Sequence, residues 1–145
     1  MKPLSSLLIV ATAMTAISTS AYAATQDPLT RMPVYPGSSP VSTKTVDTTM
    51  KYCTYDVQVK GYNLPDGSVA KSLQWYLRQI PGSRPYAYSA AGNVGNTVFS
   101  ADGTAEAVIQ KSPNERFIPA TLLLYRFSPA IPLESRAKIA TASGC

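Results

Sequence analysis

The sequence predicts an α+β fold: a two-layer domain with a mostly antiparallel sheet of about five strands and one main helix packed on one face. Three observations carry this. A single segment holds helical periodicity, several others alternate or run apolar over strand lengths with turn residues between them, and no internal repeat or second set of elements follows.

The first element is a leader. Lys2 supplies a positive charge, Leu7–Ile17 is a mostly apolar stretch, and Ala21-Tyr22-Ala23 fits the small-residue cleavage pattern of an export signal over residues 1–23. The stretch is about half of the roughly twenty residues that a membrane span needs, so a transmembrane anchor is not expected. The mature chain is expected to start at Ala24, outside the reducing cytosol, in the bacterial periplasm or beyond.

Residues 24–49 read as an extended arm rich in Pro, Ser and Thr. Pro33, Pro36 and Pro40 forbid a helix and favour a polyproline-like path with a turn at Pro36-Gly37. A plain linker has no use for Met32, Val34 and Tyr35, so the arm is expected to lie down on the domain, its first few residues loose.

Residues 50–145 form the globular part. In "MKYCTYDVQVKGY", Cys53, Tyr55, Val57 and Val59 alternate with Tyr52, Thr54, Asp56, Gln58 and Lys60, which predicts one half-buried strand with Cys53 facing the core. Export makes a disulfide between Cys53 and Cys145 the expected state of the two cysteines. It would close a loop of roughly 90 residues, worth about 4–5 kcal/mol in the chain-entropy model. A reactive thiol or an intermolecular bridge is the alternative.

The helix is "SVAKSLQWYLRQIPG". Val69, Leu73, Tyr76, Leu77 and Ile80 make one apolar stripe, Asp66 or Ser68 caps the start, and Pro81-Gly82 ends it. Trp75 falls nearly opposite the stripe, beside Lys71, Gln74 and Arg78. Strands follow in "RPYAYSA", "NTVFS", "TAEAVIQ" and the apolar "ATLLLYRF", with "AGNVGN" and Ala101-Asp102-Gly103 as turns. A helical turn or two is expected after Pro132.

The segment "PVYPG", the strand, the capped helix containing "WY" and the hairpin "FSADGT" together resemble patterns in small uncharacterised exported bacterial α+β domains. The resemblance spans Pro33 to about Gln110; it implies a fold type and brings no functional residues.

Composition excludes several chemistries. The chain has no histidine, which removes Ser-His and Cys-His nucleophile pairs and nearly every zinc site, so no metal and no cofactor is expected. The formal charge of +5, lowered by one with Lys2, is scattered over the chain and never forms the concentrated stripe that phosphate contact requires; no nucleic acid is expected. Ser68 and Lys71 make an S-x-x-K like that of penicillin-binding proteins and serine β-lactamases, but Ser135 and Lys138 repeat the pattern, the partner motifs are missing, and Lys71 is on the polar helix face. Among the acids, Asp27 belongs to the loose start, Asp66 is a cap and Asp102 a turn residue. Asp56 and Glu106 sit on strands and could meet across the sheet, although solvated strand faces are the expected role for both.

Recognition remains. Trp75 between Lys71 and Arg78 is an amphipathic aromatic-plus-cation cluster suited to an interface; alternatively Val34 and Tyr35 of the arm cover it as a second layer of core. The expectation is a non-enzymatic exported binding domain of the inhibitor or immunity type, its partner another envelope or exported protein. The alternative is an accessory envelope-assembly protein that uses its arm or a sheet edge.

Overall fold

The computed structural model describes residues 25–41, 49–52, 54–65, 69–90, 92–111 and 120–141. The expected leader, both cysteines and the helix-capping candidates Asp66 and Ser68 lie outside them. The elements in order are β1 (Ser39–Pro40), β2 (Thr49–Tyr52), β3 (Tyr55–Asn63), α1 (Val69–Gln79), β4 (Tyr86–Ala90), β5 (Asn93–Phe99), β6 (Ala105–Lys111), β7 (Thr121–Ser128), a 3-10 turn (Leu133–Ser135) and α2 (Arg136–Ala140).

All the strands join one antiparallel sheet in the order β1–β3–β7–β6–β5–β4, with β2 also on β3. The α+β class stands, but the sheet has seven strands rather than about five. The five long ones are those that the sequence predicts; the additions, β1 and β2, share the outer edge of β3, one beside Tyr62 and Asn63 and the other beside Tyr55–Gln58. Pieces this short carry too few residues to show a period of two. The single strand expected through Tyr52 and Tyr55 is also corrected. Tyr52 pairs with Tyr55, so the chain reverses between them and β3 begins at Tyr55.

Paired residues in an antiparallel ladder project from the same face. On one face β7 contributes Leu122 and Leu124, β6 contributes Ala105, Ala107 and Ile109, β5 contributes Val98 and β3 contributes Tyr62. The α1 helix crosses this face over β5 and β6, where the alanines allow close approach. Tyr76, fully buried, is its deepest residue, and its hydroxyl donates to the Pro33 carbonyl oxygen at 2.8 Å. Val69, Leu73, Leu77 and Ile80 pack around it, as the stripe predicts. Burying one such side chain stabilises by about 1.5–3 kcal/mol. The helix ends where Gly82 takes a φ of 75°.

The opposite face holds a second core. Val57, Val59, Phe99 and Phe127 meet Ile131 and, from α2, Ile139 and Ala140. The helical turn after Pro132 is therefore present, and it adds partial cover to the side of the sheet that a strict two-layer domain leaves bare. This explains the run Leu122–Phe127: β7 is central, its even-numbered residues facing α1 and its odd-numbered ones facing the aromatic cluster.

The arm does lie on the domain, and its start is ordered rather than loose. Residues 25–34 fold back on themselves, with Val34 N–H donating to Thr25 O at 2.7 Å, Asp27 N–H to Met32 O at 2.9 Å, and Arg31 at φ 60° making the reversal. Asp27 is 1% exposed; its carboxylate accepts from Thr30 N–H, Thr30 Oγ1 and the Tyr62 hydroxyl at 2.7–2.8 Å. A buried carboxylate is tolerated only when its oxygens are satisfied, and these three donors do that. Among the described residues no helix is long and apolar enough to cross a membrane.

Candidate functional site

On α1, Lys71, Gln74, Trp75 and Arg78 stand at i, i+3, i+4 and i+7, a spacing that stacks side chains on one helical face. Lys71, Gln74 and Arg78 are exposed, and Trp75 is half-buried. The three residues singled out from the sequence, Lys71, Trp75 and Arg78, thus meet in one place. With Gln74, Ala70 and Tyr35 of the arm they line a depression of about 380 Å³.

The indole is fixed by its neighbours. Tyr35 meets it edge-on with ring centroids 5.5 Å apart and planes at 86°, and Tyr76 meets it at 4.9 Å and 87°. Edge-to-face pairs at such distances contribute about 0.5–1.5 kcal/mol each beyond their buried area. Tyr35 of the arm covers one side of Trp75, while the rest of the residue forms the wall of the depression. No acidic residue occurs in α1, so the lining is cationic.

The other candidate groups are scattered. Asp56 pairs with Ser128, and Glu106 pairs with Tyr125; Ser128 and Tyr125 point to opposite faces of β7, so the two acids cannot meet. Glu106 is also no solvated strand residue, being 3% exposed on the aromatic side of the sheet. Burial raises its pKa to about 7, against the weaker lowering effect of a hydrogen bond from Thr97. The Thr97 hydroxyl lies 2.6 Å from Glu106 Oε1 and 3.0 Å from the Ala107 carbonyl oxygen, and it has one proton to give. A protonated Glu106 resolves this by donating to Thr97 Oγ1, which then donates to Ala107 O. The sequence signal for this site was faint: an acid in "AEAVI", flanked by apolar residues on both sides.

Asp102 is the turn residue that the sequence predicts. Its Oδ1 accepts from Ser100 Oγ, Thr104 N–H and Thr104 Oγ1 at 2.7–3.0 Å, and these bonds hold its pKa below the ordinary value. Lys71 of the S-x-x-K pattern is exposed, the wrong setting for a lysine base, while Ser68 lies outside the described residues. Among the described residues no three His, Cys, Asp or Glu side chains gather as metal ligands would.

Comparison with protein-family models gives no match. Comparisons with curated proteins and with solved structures also give none. The site is therefore read from its own chemistry.

Proposed function

We propose that the chain is an exported, non-enzymatic binding domain that holds or blocks another exported or envelope protein through the Trp75 face of α1. The observation that carries this reading is the indole held edge-on by Tyr35 and Tyr76, with exposed cations on either side and a shallow depression beside it. Rigid aromatic anchors lose little entropy on binding, and interfaces draw much of their energy from Trp, Tyr and Arg. The partner chemistry that fits is an apolar knob seated beside Trp75, with carboxylates aligned to Lys71 and Arg78. The leader expected over residues 1–23 and the absence of histidine support an exported binder over a hydrolase.

A photo-crosslinking residue placed at Gln74 tests this in the native envelope extract. A discrete adduct is expected, lost when Lys71→Glu and Arg78→Glu are combined, with a cooperative thermal melt retained, since both positions are exposed. The same label at Lys138, on α2, should give no such adduct. An adduct indifferent to charge reversal would remove the face from consideration.

One observation favours a second reading, assembly by strand addition. The outer edge of β3 is occupied by β1 and β2, and β4 is the other end of the sheet, paired with β5 alone among the described strands. Proline at a β4 position whose N–H points away from β5 would block a strand added there and leave the α1 face intact, so it separates the two.

A further inference from the structure

A second concavity of about 490 Å³ opens on the helix-side face of the sheet, away from the Trp75 depression. Its walls come from three elements: the arm reversal at Thr30–Met32, the β5–β6 turn with Asp102, and the end of β7 running into Pro129 and Ala130. Arg126 reaches it from β7, between Ala105 and Gln58 in the register. Arg31 reaches it from the arm, at a backbone φ of 60° that non-glycine residues seldom adopt.

The lining carries charged groups of both signs, Arg31 and Arg126 against Asp102. Arg126 gives one weak bond, Nη1 to Leu29 O at 3.4 Å, and no ion pair or hydrogen bond is recorded for the Arg31 guanidinium among the described residues. Planar guanidinium forks of this kind match a carboxylate. Asp102 supplies the opposite charge in the same cleft. Every bond recorded for it among the described residues falls on Oδ1, which leaves Oδ2 as an acceptor. Met32, Pro129 and Ala130 add apolar wall.

We infer that this cleft binds a short peptide with free termini, its carboxylate held by Arg31 and Arg126 and its ammonium by Asp102. The cleft volume is within the range of small-ligand sites. A dianion such as phosphate would meet Asp102 as a like charge, whereas a zwitterion satisfies both signs at once. The positive φ at Arg31 makes the reversal that brings this exposed side chain to the rim of the cleft.

Tri-alanine, added to the isotope-labelled protein, provides the test by amide chemical shifts. Saturable shifts are expected in Thr30–Met32 and in residues 100–105. Tri-alanine blocked at both ends should bind at least about tenfold more weakly, as should tri-alanine with Arg126→Gln, each losing a charge-assisted contact. Arg31→Gly accepts the positive φ without strain, so its melting temperature should hold or rise while affinity falls by a similar factor. No saturable shift at the cleft, equal binding of the blocked peptide, or full affinity in both arginine variants would each overturn the assignment. Inorganic phosphate saturating the same amides as tightly as tri-alanine would overturn it too, marking a plain anion site.

Discussion

Glu106 is a carboxyl placed where only its neutral form is comfortable. Its pKa is near 7 in the folded chain against 4.5 for the free group, so the native state holds the proton more tightly than the unfolded state does. Stability from this group is complete below about pH 4.5, declines as pH rises, and is lost once pH passes about 7. The loss should be on the order of 3 kcal/mol. Glu106→Gln keeps the shape and a hydrogen-bond donor for Thr97, so urea unfolding at pH 5 and pH 8 should show the decline in the natural protein and little of it in the variant. Asp27 is the contrasting case, a buried carboxylate with three donors. Tyr62→Phe removes the one on Oδ1 and should cost about 1–3 kcal/mol, read from the same denaturant curves. The pattern "DPLT" held the clue, since an Asp three residues before a Thr readily accepts from its backbone and hydroxyl. Period-counting passes over it because the turn has no period.

Elements with a repeating pattern were legible, and those made by a single contact were not. The α1 stripe and the five long strands follow from apolar spacing, because burial on one face imposes that spacing. β1 is two residues long and exists because the arm runs past Tyr62, which is a tertiary fact. The Trp75 cluster was legible as a helical face, but how far the arm covers it depends on where Tyr35 lands. Two glycines show how far the elements depend on backbone. Gly82 ends α1 at positive φ with open space around a would-be Cβ, so Gly82→Ala should cost only the conformational penalty, about 1 kcal/mol. A Cβ on Gly95 in β5 would overlap the Ile109 carbonyl oxygen of the paired strand β6. Gly95→Ala should therefore open the sheet and abolish the cooperative melt that Gly82→Ala retains.

At the scale of the whole molecule, the central sheet separates two cores that are closed by different parts of the chain. The arm and α1 close one, and the last described segment, through Ile139 and Ala140, adds to the other, with α2 lying against β4. Nothing local in the sequence announces this second closure, since α2 is a five-residue helix with two buried side chains. It has a consequence for the cysteines, which lie outside the described residues. Cys53 precedes β3, which carries Val57 and Val59, and Cys145 follows α2, which lies against β4 and carries Ile139 and Ala140; these four side chains belong to the one aromatic core. An internal disulfide between them would secure the short tail helix that closes that core. The protein isolated from an oxidising compartment should then show no free thiol when labelled in denaturant. Reduction should lower its stability by about 4 kcal/mol, with the largest loss of amide protection in α2 rather than in α1. One or two labelled thiols, or protection lost first from α1, would mean that the aromatic core is closed by packing alone.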